Sequence, residues 1–476
     1  MAYRSVVQVE VNELNSTSKR FRSCRLHDLM RDLCLAHGKE VEFLKVLDFR
    51  KGNDPLSDSS PDYPYRRTIQ TDDRKGFSLD ADAIMRSLAL NDHGQQQLRS
   101  LQLRNALPKY RNAEVSFPAE MCESQKLKFL RVVNIEGYNF RSSRFPEVIH
   151  KFIHLKFLGL RNCLLDELPA SIGQLQYLQT LDIRLYMSTE IKVPNVLWKL
   201  KQLRHLYLPS KRSTPEEKLS LNGLSKLETL VKFNSNYDDP RDLSELISVR
   251  SFRARAGENK SLHAILSNIS TNQHKLRETH LDVNYYEVKK SGVVEDRLVP
   301  LKHLFACLNL HKLTMIWGRC EFQKLQQLDQ SLLLSSNITK LTLKCEIQGD
   351  PMGTLGKLSN LQKLIIEKSE LLDKQIIVCE ANSFPKLTSL ELLGVSNLVK
   401  WTVLEGAMPN LCHLDIKNCS ELEMIPDGLR FITSLKGLRT FVMPKEFNDR
   451  LRVIDGKEGA DFHKIRHVPF ISLSDW

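Results

Sequence analysis

The pattern L-x-x-L-x-L returns every 23 to 29 residues over most of this 476-residue chain. It appears first at Leu98-Leu101-Leu103, then at Leu127-Leu130-Val132, Leu155-Leu158-Leu160, Leu178-Leu181-Ile183, Leu203-Leu206-Leu208 and Leu227-Leu230. A second run occupies Leu310-Leu313-Met315, Ile338-Leu341-Leu343, Leu361-Leu364-Ile366, Leu387-Leu390-Leu392, Leu411-Leu414-Ile416 and Leu435-Leu438. A unit this short cannot bury its own apolar face, so repetition at this period predicts units stacked into a solenoid. Such an architecture points to a recognition surface before it points to an enzyme.

In each copy the alternating half, such as Leu158-x-Leu160, predicts a short strand with apolar residues inward and the residues between them outward. Stacked parallel strands then make one concave sheet on which the outward positions of successive units line up. An Asn or Cys three to four residues after the strand fits a small polar group that satisfies backbone in the turn, as with Asn162-Cys163 and Asn418-Cys419. In the phrase LPASIGQL from Leu168 to Leu175, Pro169 rules out a central strand and favours a turn or short helix. Together these features resemble the leucine-rich-repeat consensus. The phase is weakest over 231–300, where Leu281 and Val283 predict one strand and YYEVKKSGVVEDR predicts an irregular insertion.

With 41% hydrophobic and 26% charged residues the chain can bury a large core and keep a polar surface. The formal charge of +12 comes from 69 Lys and Arg against 57 Asp and Glu, interleaved as on a solvated repeat face. No dense basic block or aromatic-plus-basic module marks a nucleic-acid site. No two of the ten cysteines are separated by only two residues, so the usual zinc and redox spacings are absent and buried reduced thiols are expected. The N-terminus lacks the apolar run of a signal peptide, and no stretch of about 18 apolar residues predicts a membrane span.

Ahead of the repeats, Val6 to Val11 has strand character, Asn15 to Arg20 is turn-like and Phe21 to Leu26 returns, which predicts a hairpin. The following HDLMRDLCLAHG predicts a helix, with Asp28 at the positive end of its dipole and Gly38 near its close. A hairpin beside one helix is too small to fold alone.

The phrase CRLHDLMRDLCL at Cys24 to Leu35 resembles the end of the winged-helix part of the nucleotide-binding module in plant intracellular immune receptors of the coiled-coil, nucleotide-binding, leucine-rich-repeat class. In that family the motif reads Met-His-Asp; here Leu26 takes the Met place, His27 the His and Asp28 the Asp. SELEMIPDGLRFITSLKGLRTFVMPKEFNDRL from Ser420, followed by DFHKIRHVPFI, is similar to the C-terminus of the same class. The resemblance implies that His27 contacts the phosphates of ADP in a resting receptor and that Asp28 holds the local geometry.

The phosphate loop such a receptor needs, G-x-x-x-x-G-K-[ST], has no counterpart. In DPMGTLGKLS, Gly356 and Lys357 are followed by Leu358, and Pro351 stands at the first glycine place, so this segment is expected to be a repeat turn. No metalloprotease, nucleophile-elbow or kinase motif is present either, so no catalytic residue is expected. The expected organisation is an α/β leucine-rich-repeat solenoid: 1–47 a winged-helix remnant, 48–97 a connector and irregular first repeat, 98–445 repeats, irregular around 231–300, and 446–476 a tail. The expected role is the C-terminal part of a plant defence receptor. It would recognise a pathogen effector or a guarded host protein, and would restrain an ADP/ATP switch that this chain alone does not complete. The expected partners are proteins, with no nucleic acid or integral membrane segment. The expected location is the cytoplasm, including the inner face of the plasma membrane, or the nucleus. The competing reading is a cytoplasmic scaffold or ubiquitin-ligase substrate adaptor. A secreted repeat protein, which sequons at Asn15, Asn268, Asn337 and Asn418 would permit, is disfavoured by the missing signal peptide.

Overall fold

The computed structural model describes residues 98–105, 127–141, 145–186, 189–213, 217–257, 275–283, 307–321, 336–367 and 370–475. It also describes the strands Val7–Val11, Phe21–Leu26, Leu44–Asp48 and Arg66–Thr71 and short pieces at 261–267 and 334. The chain divides into two compact units, Met1–Val11 with Phe21–Val249, and Asn12–Arg20 with Arg250–Trp476.

In the first unit, Val7–Val11 and Phe21–Leu26 pair antiparallel as the expected hairpin, with Val7 opposite Leu26. A separate parallel ladder runs from Leu44–Asp48 through Arg66–Thr71, Ser100–Asn105, Val132–Glu136, Phe157–Gly159, Thr180–Asp182 and His205–Tyr207 to Thr229–Asn234. Its register stacks the frame leucines: Leu158 lies beside Leu181, Leu181 beside Leu206 and Leu206 beside Leu230. All four are fully buried. Each such side chain contributes about 1.5–3 kcal/mol by leaving water, but only because a neighbouring rung covers it.

In the second unit the ladder runs Ser251–Ala256, Glu278–Val283, Lys312–Glu321, Lys340–Gln348, Lys363–Glu367, Ser389–Leu393, His413–Lys417, Gly437–Met443 and Phe470–Asp475, all parallel. The far half of Lys340–Gln348 also starts a second ladder through Glu370–Cys379 to Ser396–Val403. Here Trp401 is buried with its indole N–H directed at the Cys379 sulfur, 3.4 Å away.

The strand ladder extends past both ends of the 98–445 region that leucine spacing marks out. Leu44–Asp48 and Arg66–Thr71 are rungs in register with Ser100–Asn105: the rung within 48–97 is what an irregular first repeat requires, and the ladder starts earlier still, inside the stretch expected as a winged-helix remnant. Phe470–Asp475 is the last rung, so 446–476 is no tail. A small polar network seals that end. Thr440 donates to Asn448 at 2.7 Å, and Asn448 donates to Asp475 at 2.7 Å. The buried Lys464 ammonium donates to the Ile425 carbonyl at 3.0 Å and contacts Asp427 at 2.7 Å and Asp461 at 2.8 Å. Its charge is offset on every side, which burial of an ammonium requires.

Within 231–300 the expected strand at Leu281 is present, and so is one at Ser251–Ala256 that leucine counting passes over. These two rungs keep the repeat frame, with Val249, Phe252 and Ala254 in the leucine places of the first and Thr279 in one place of the second; all four are buried. The segment Tyr285 to Arg297, expected as an insertion, lies outside the described residues.

Proline sets where some of the repeats turn. Pro169, with φ fixed at −66°, precedes a short 3-10 turn over Ala170–Gln174, and Pro426 does the same for Asp427–Phe431. Each turn drops one apolar residue into the core, Ile172 and Leu429.

The free thiols Cys163, Cys307, Cys345, Cys379 and Cys419 are buried, and Cys412 is partly exposed. Burial pushes Cys163 and Cys379 up from 9.0 to about 12 and Cys307 and Cys419 up to about 11. The folded chain keeps protons that the unfolded chain releases near pH 9. The stability these thiols contribute is therefore complete below pH 9 and is lost as pH rises toward 12. At pH 8, iodoacetamide is expected to modify Cys412 and to leave Cys163 and Cys379 intact until urea is added, as read by mass spectrometry. Native-state alkylation of Cys163 at the rate of Cys412 would refute that arrangement.

Candidate functional site

Alternation on each strand sends every second side chain away from the leucine core, and the parallel register then aligns these side chains into columns across rungs. Side chains in a column are therefore cross-strand neighbours although 23 to 34 residues separate them in sequence, as with Lys340 to Lys363 and Glu278 to Lys312. This outward face is the candidate site in each unit.

In the first unit it centres on Asp182, whose carboxylate is only 1% exposed yet lies on the outward side of its strand. Arg161 donates to it at 2.5 Å, and Arg184 donates through two nitrogens at 2.9 and 2.7 Å. Burial pushes the Asp182 carboxyl up, but hydrogen bonds from Arg184 and Arg161 outweigh it and hold the group below its usual range. The Arg184 guanidinium also lies over the Tyr207 ring at 4.4 Å. Two half-exposed guanidiniums are thus fixed by one carboxylate, leaving a surplus positive charge.

In the second unit, opposite charges pair along and across the rungs. Arg255 contacts Asp282 at 2.7 Å, Lys344 contacts Glu367 at 2.8 Å, and Arg439 grips Asp415 through two bonds of 2.8 and 2.7 Å. One column carries Lys312, Lys340 and Lys363 on three consecutive rungs. Lys312 faces Glu278 at 3.5 Å and Lys363 contacts Glu391. Further along the same face, burial lowers His413 below its ordinary value despite Asp415 nearby. The last rungs expose Phe441 and Phe470, with the Lys417 ammonium 4.9 Å over the Phe441 ring.

His27 and Asp28, the residues sequence reasoning singled out, lie outside the described residues. The Asn-Cys pairs divide their labour differently from the expectation. Asn162 and Asn418 adopt left-handed backbone, φ 55° and 51°, which an Asn tolerates, and so turn the chain. It is the cysteine that faces inward, Cys163 Sγ donating to the Ile135 carbonyl at 3.4 Å and Cys419 Sγ to the Leu392 carbonyl at 3.7 Å. In an earlier rung an asparagine does this work, Asn105 donating to the Gly137 carbonyl at 3.2 Å. DPMGTLGKLS is the expected repeat turn: Met352–Leu355 forms one helical turn, and Asp350 accepts from the Met352 and Val378 amides at 2.8 and 2.9 Å. Gly356 gives its carbonyl to the Phe384 amide of the next repeat at 2.9 Å. Among the described residues no three His, Cys, Asp or Glu side chains converge as metal ligands, and no helix is long and apolar enough to cross a membrane.

Leucine counting misses the charged columns, although the lysines are visible once the frames are aligned. Each stands immediately before a frame leucine: Lys312 before Leu313, Lys340 before Leu341, Lys363 before Leu364.

A family model described as a leucine-rich repeat region matches residues 113–451. The chain is similar to three proteins of Arabidopsis thaliana. With the probable disease resistance protein RXW24L it is 31% identical over 98% of this chain and 47% of that protein. With disease resistance RPP8-like protein 3 it is 27% identical over 97% of this chain and 47% of that one. With the disease resistance protein RPP8 it is 28% identical over 99% of this chain and 48% of that one. The chain therefore spans about half the length of the curated relatives it matches.

Proposed function

The chain belongs to the leucine-rich repeat region of the plant disease-resistance proteins, and on that premise we propose that it is the sensing and restraining part of an intracellular plant defence receptor. The outward face of the strand ladders recognises a protein, either a pathogen effector or a guarded host protein. In the intact receptor the same repeats hold a nucleotide-binding module in its ADP state, and His27 and Asp28 are the chain's contribution to that site, at the edge of a winged-helix remnant over 1–47. Recognition then works by differential affinity for resting and active states, shifting a population without a chemical step in this chain.

The observation that carries this reading is the match of nearly the whole chain to less than half of each relative. The open, charge-patterned sheet face supports protein rather than small-molecule recognition, because it is broad and carries arginines and exposed aromatics of the kind enriched in protein interfaces. The test is Asp28→Val in a full-length receptor carrying this chain. The expected result is defence signalling without a ligand, since loss of the carboxylate loosens the ADP-bound arrangement. Signalling that stays at the wild-type level, with the variant accumulating normally, would remove the proposed role of the motif.

A further inference from the structure

The geometry points to an anion-binding position centred on Lys340 in the second unit, whose occupant is the acidic side chains of an extended polypeptide segment of a partner protein. This rests on the proposal that the outward face binds protein, and it names the chemistry of the contact.

Lys312, Lys340 and Lys363 are direct cross-strand partners on three adjacent rungs. Neighbouring strands lie about 4.8 Å apart, so the backbones of the three lysines stand in line over about 10 Å. Like charges directly opposite one another destabilise a sheet. The outer two lysines have that repulsion relieved, Lys312 by Glu278 at 3.5 Å and Lys363 by Glu391. Lys340 has no such contact; among the described residues no carboxylate lies within ion-pair distance of it. It is also half-buried, and burial with Lys363 and Lys312 holds its ammonium below the ordinary lysine range against the more distant pull of Glu391 and Glu278. Beside the column, Ser389 is 1% exposed, on the rung next to Lys363, and its hydroxyl has no hydrogen-bond partner. A column arranged this way favours negative charge at its centre, and Arg253, 3.6 Å from Glu278, adds a further cation.

A polypeptide carboxylate suits this position better than a free anion. On the same rungs Thr314, partly exposed, and Thr342, 7% exposed, stand two places from the lysines, and the Thr314 hydroxyl can bond to backbone. An extended segment presents alternate side chains about 7 Å apart, so two acids on one side fit within the lysine column.

The test uses the purified chain and fluorescently labelled octaglutamate, read by anisotropy at low salt, with unlabelled inorganic phosphate at matched ionic strength as competitor. Lys340→Glu is expected to weaken octaglutamate binding by about tenfold or more, from loss of one charge-assisted contact and gain of a repulsion. Lys457→Glu, an exposed position away from the ladder, is expected to change it by less than about twofold, which controls for net charge. Circular dichroism and thermal unfolding establish that Lys340→Glu is folded, and Lys340→Gln, which removes the charge without reversing it, covers the case in which it is not. Equal losses in Lys340→Glu and Lys457→Glu would overturn the site. So would displacement of octaglutamate by phosphate at equal charge concentration, which would make the occupant a free anion. Failure here alongside ligand-free signalling by Asp28→Val leaves the receptor reading standing and removes only the lysine position.

Discussion

Asp238→Ala is expected to destabilise the first unit by about 3–5 kcal/mol, the cost of leaving one charge of a buried ion pair without its partner. Asp238 is fully buried and Arg212 is 4% exposed. The carboxylate contacts two guanidinium nitrogens, the second at 2.8 Å, and accepts from the Asn234 amide at 2.7 Å. Arg212 otherwise has the Lys232 carbonyl at 3.3 Å and the face of Tyr237 at 4.9 Å, neither of which neutralises it. The pair fastens the Glu190–Ile191 and Lys211–Arg212 side ladder to the loop after the Thr229–Asn234 strand. Thermal unfolding should show the loss, and hydrogen exchange should show the Asn234 amide losing protection first. The double change Arg212→Met with Asp238→Leu should recover most of it, since replacing both charges removes the desolvation cost as well. A single-variant loss under about 1 kcal/mol would show that water reaches the pair.

Gly428→Ala is expected to cost about 3 kcal/mol or more, at the upper end of overpacking effects. A Cβ at this position would stand 2.0 Å from the Val403 carbonyl oxygen and 2.8 Å from its carbon, both backbone atoms with no rotamer to yield. Gly428 lies in the 3-10 turn behind Pro426, where it presses on the end of the Ser396–Val403 strand. That strand is the edge of the second ladder and should lose exchange protection, together with the Asp427 to Lys464 contact that closes the C-terminal end. Gly437→Ala makes the comparison, because the nearest atoms to its Cβ would be side-chain rings, His413 at 3.2 Å and Phe470 at 3.9 Å, and no backbone. Equal stability of the two variants would show that the turn can shift away from Val403.

The two substitutions differ in how far sequence could have found them. Gly428 follows a Pro-Asp pair inside a repeat phrase, so a turn is readable there, but the close approach to Val403, 25 positions earlier, is not. Arg212 and Asp238 are 26 residues apart in a charged chain, and nothing local marks them as a pair. The Asn-Cys signal was readable as turn chemistry, yet which of the two faces the core depended on the left-handed φ at Asn162 and Asn418. The rungs at Ser251–Ala256 and Phe470–Asp475 escaped notice because Ala, Phe and Ile replaced Leu in the frame. A stacked sheet accepts any apolar residue that fills the volume, so leucine identity under-reports the repeat.

By itself the sequence determined the architecture. Its period exceeds what one unit can bury, so stacking was forced, and the strand alternation decided which residues face inward. It also carried the family resemblance, through the phrase around His27 and Asp28 and the C-terminal phrase. Only the tertiary structure decided the register between rungs, and therefore which outward residues become neighbours. Cross-strand contact is a relation between positions 23 or more residues apart, and a shift of one residue would turn the other face outward. That register set two arginines on Asp182 in the first unit and put Lys340 between two lysines in the second, where charge is concentrated by the fold.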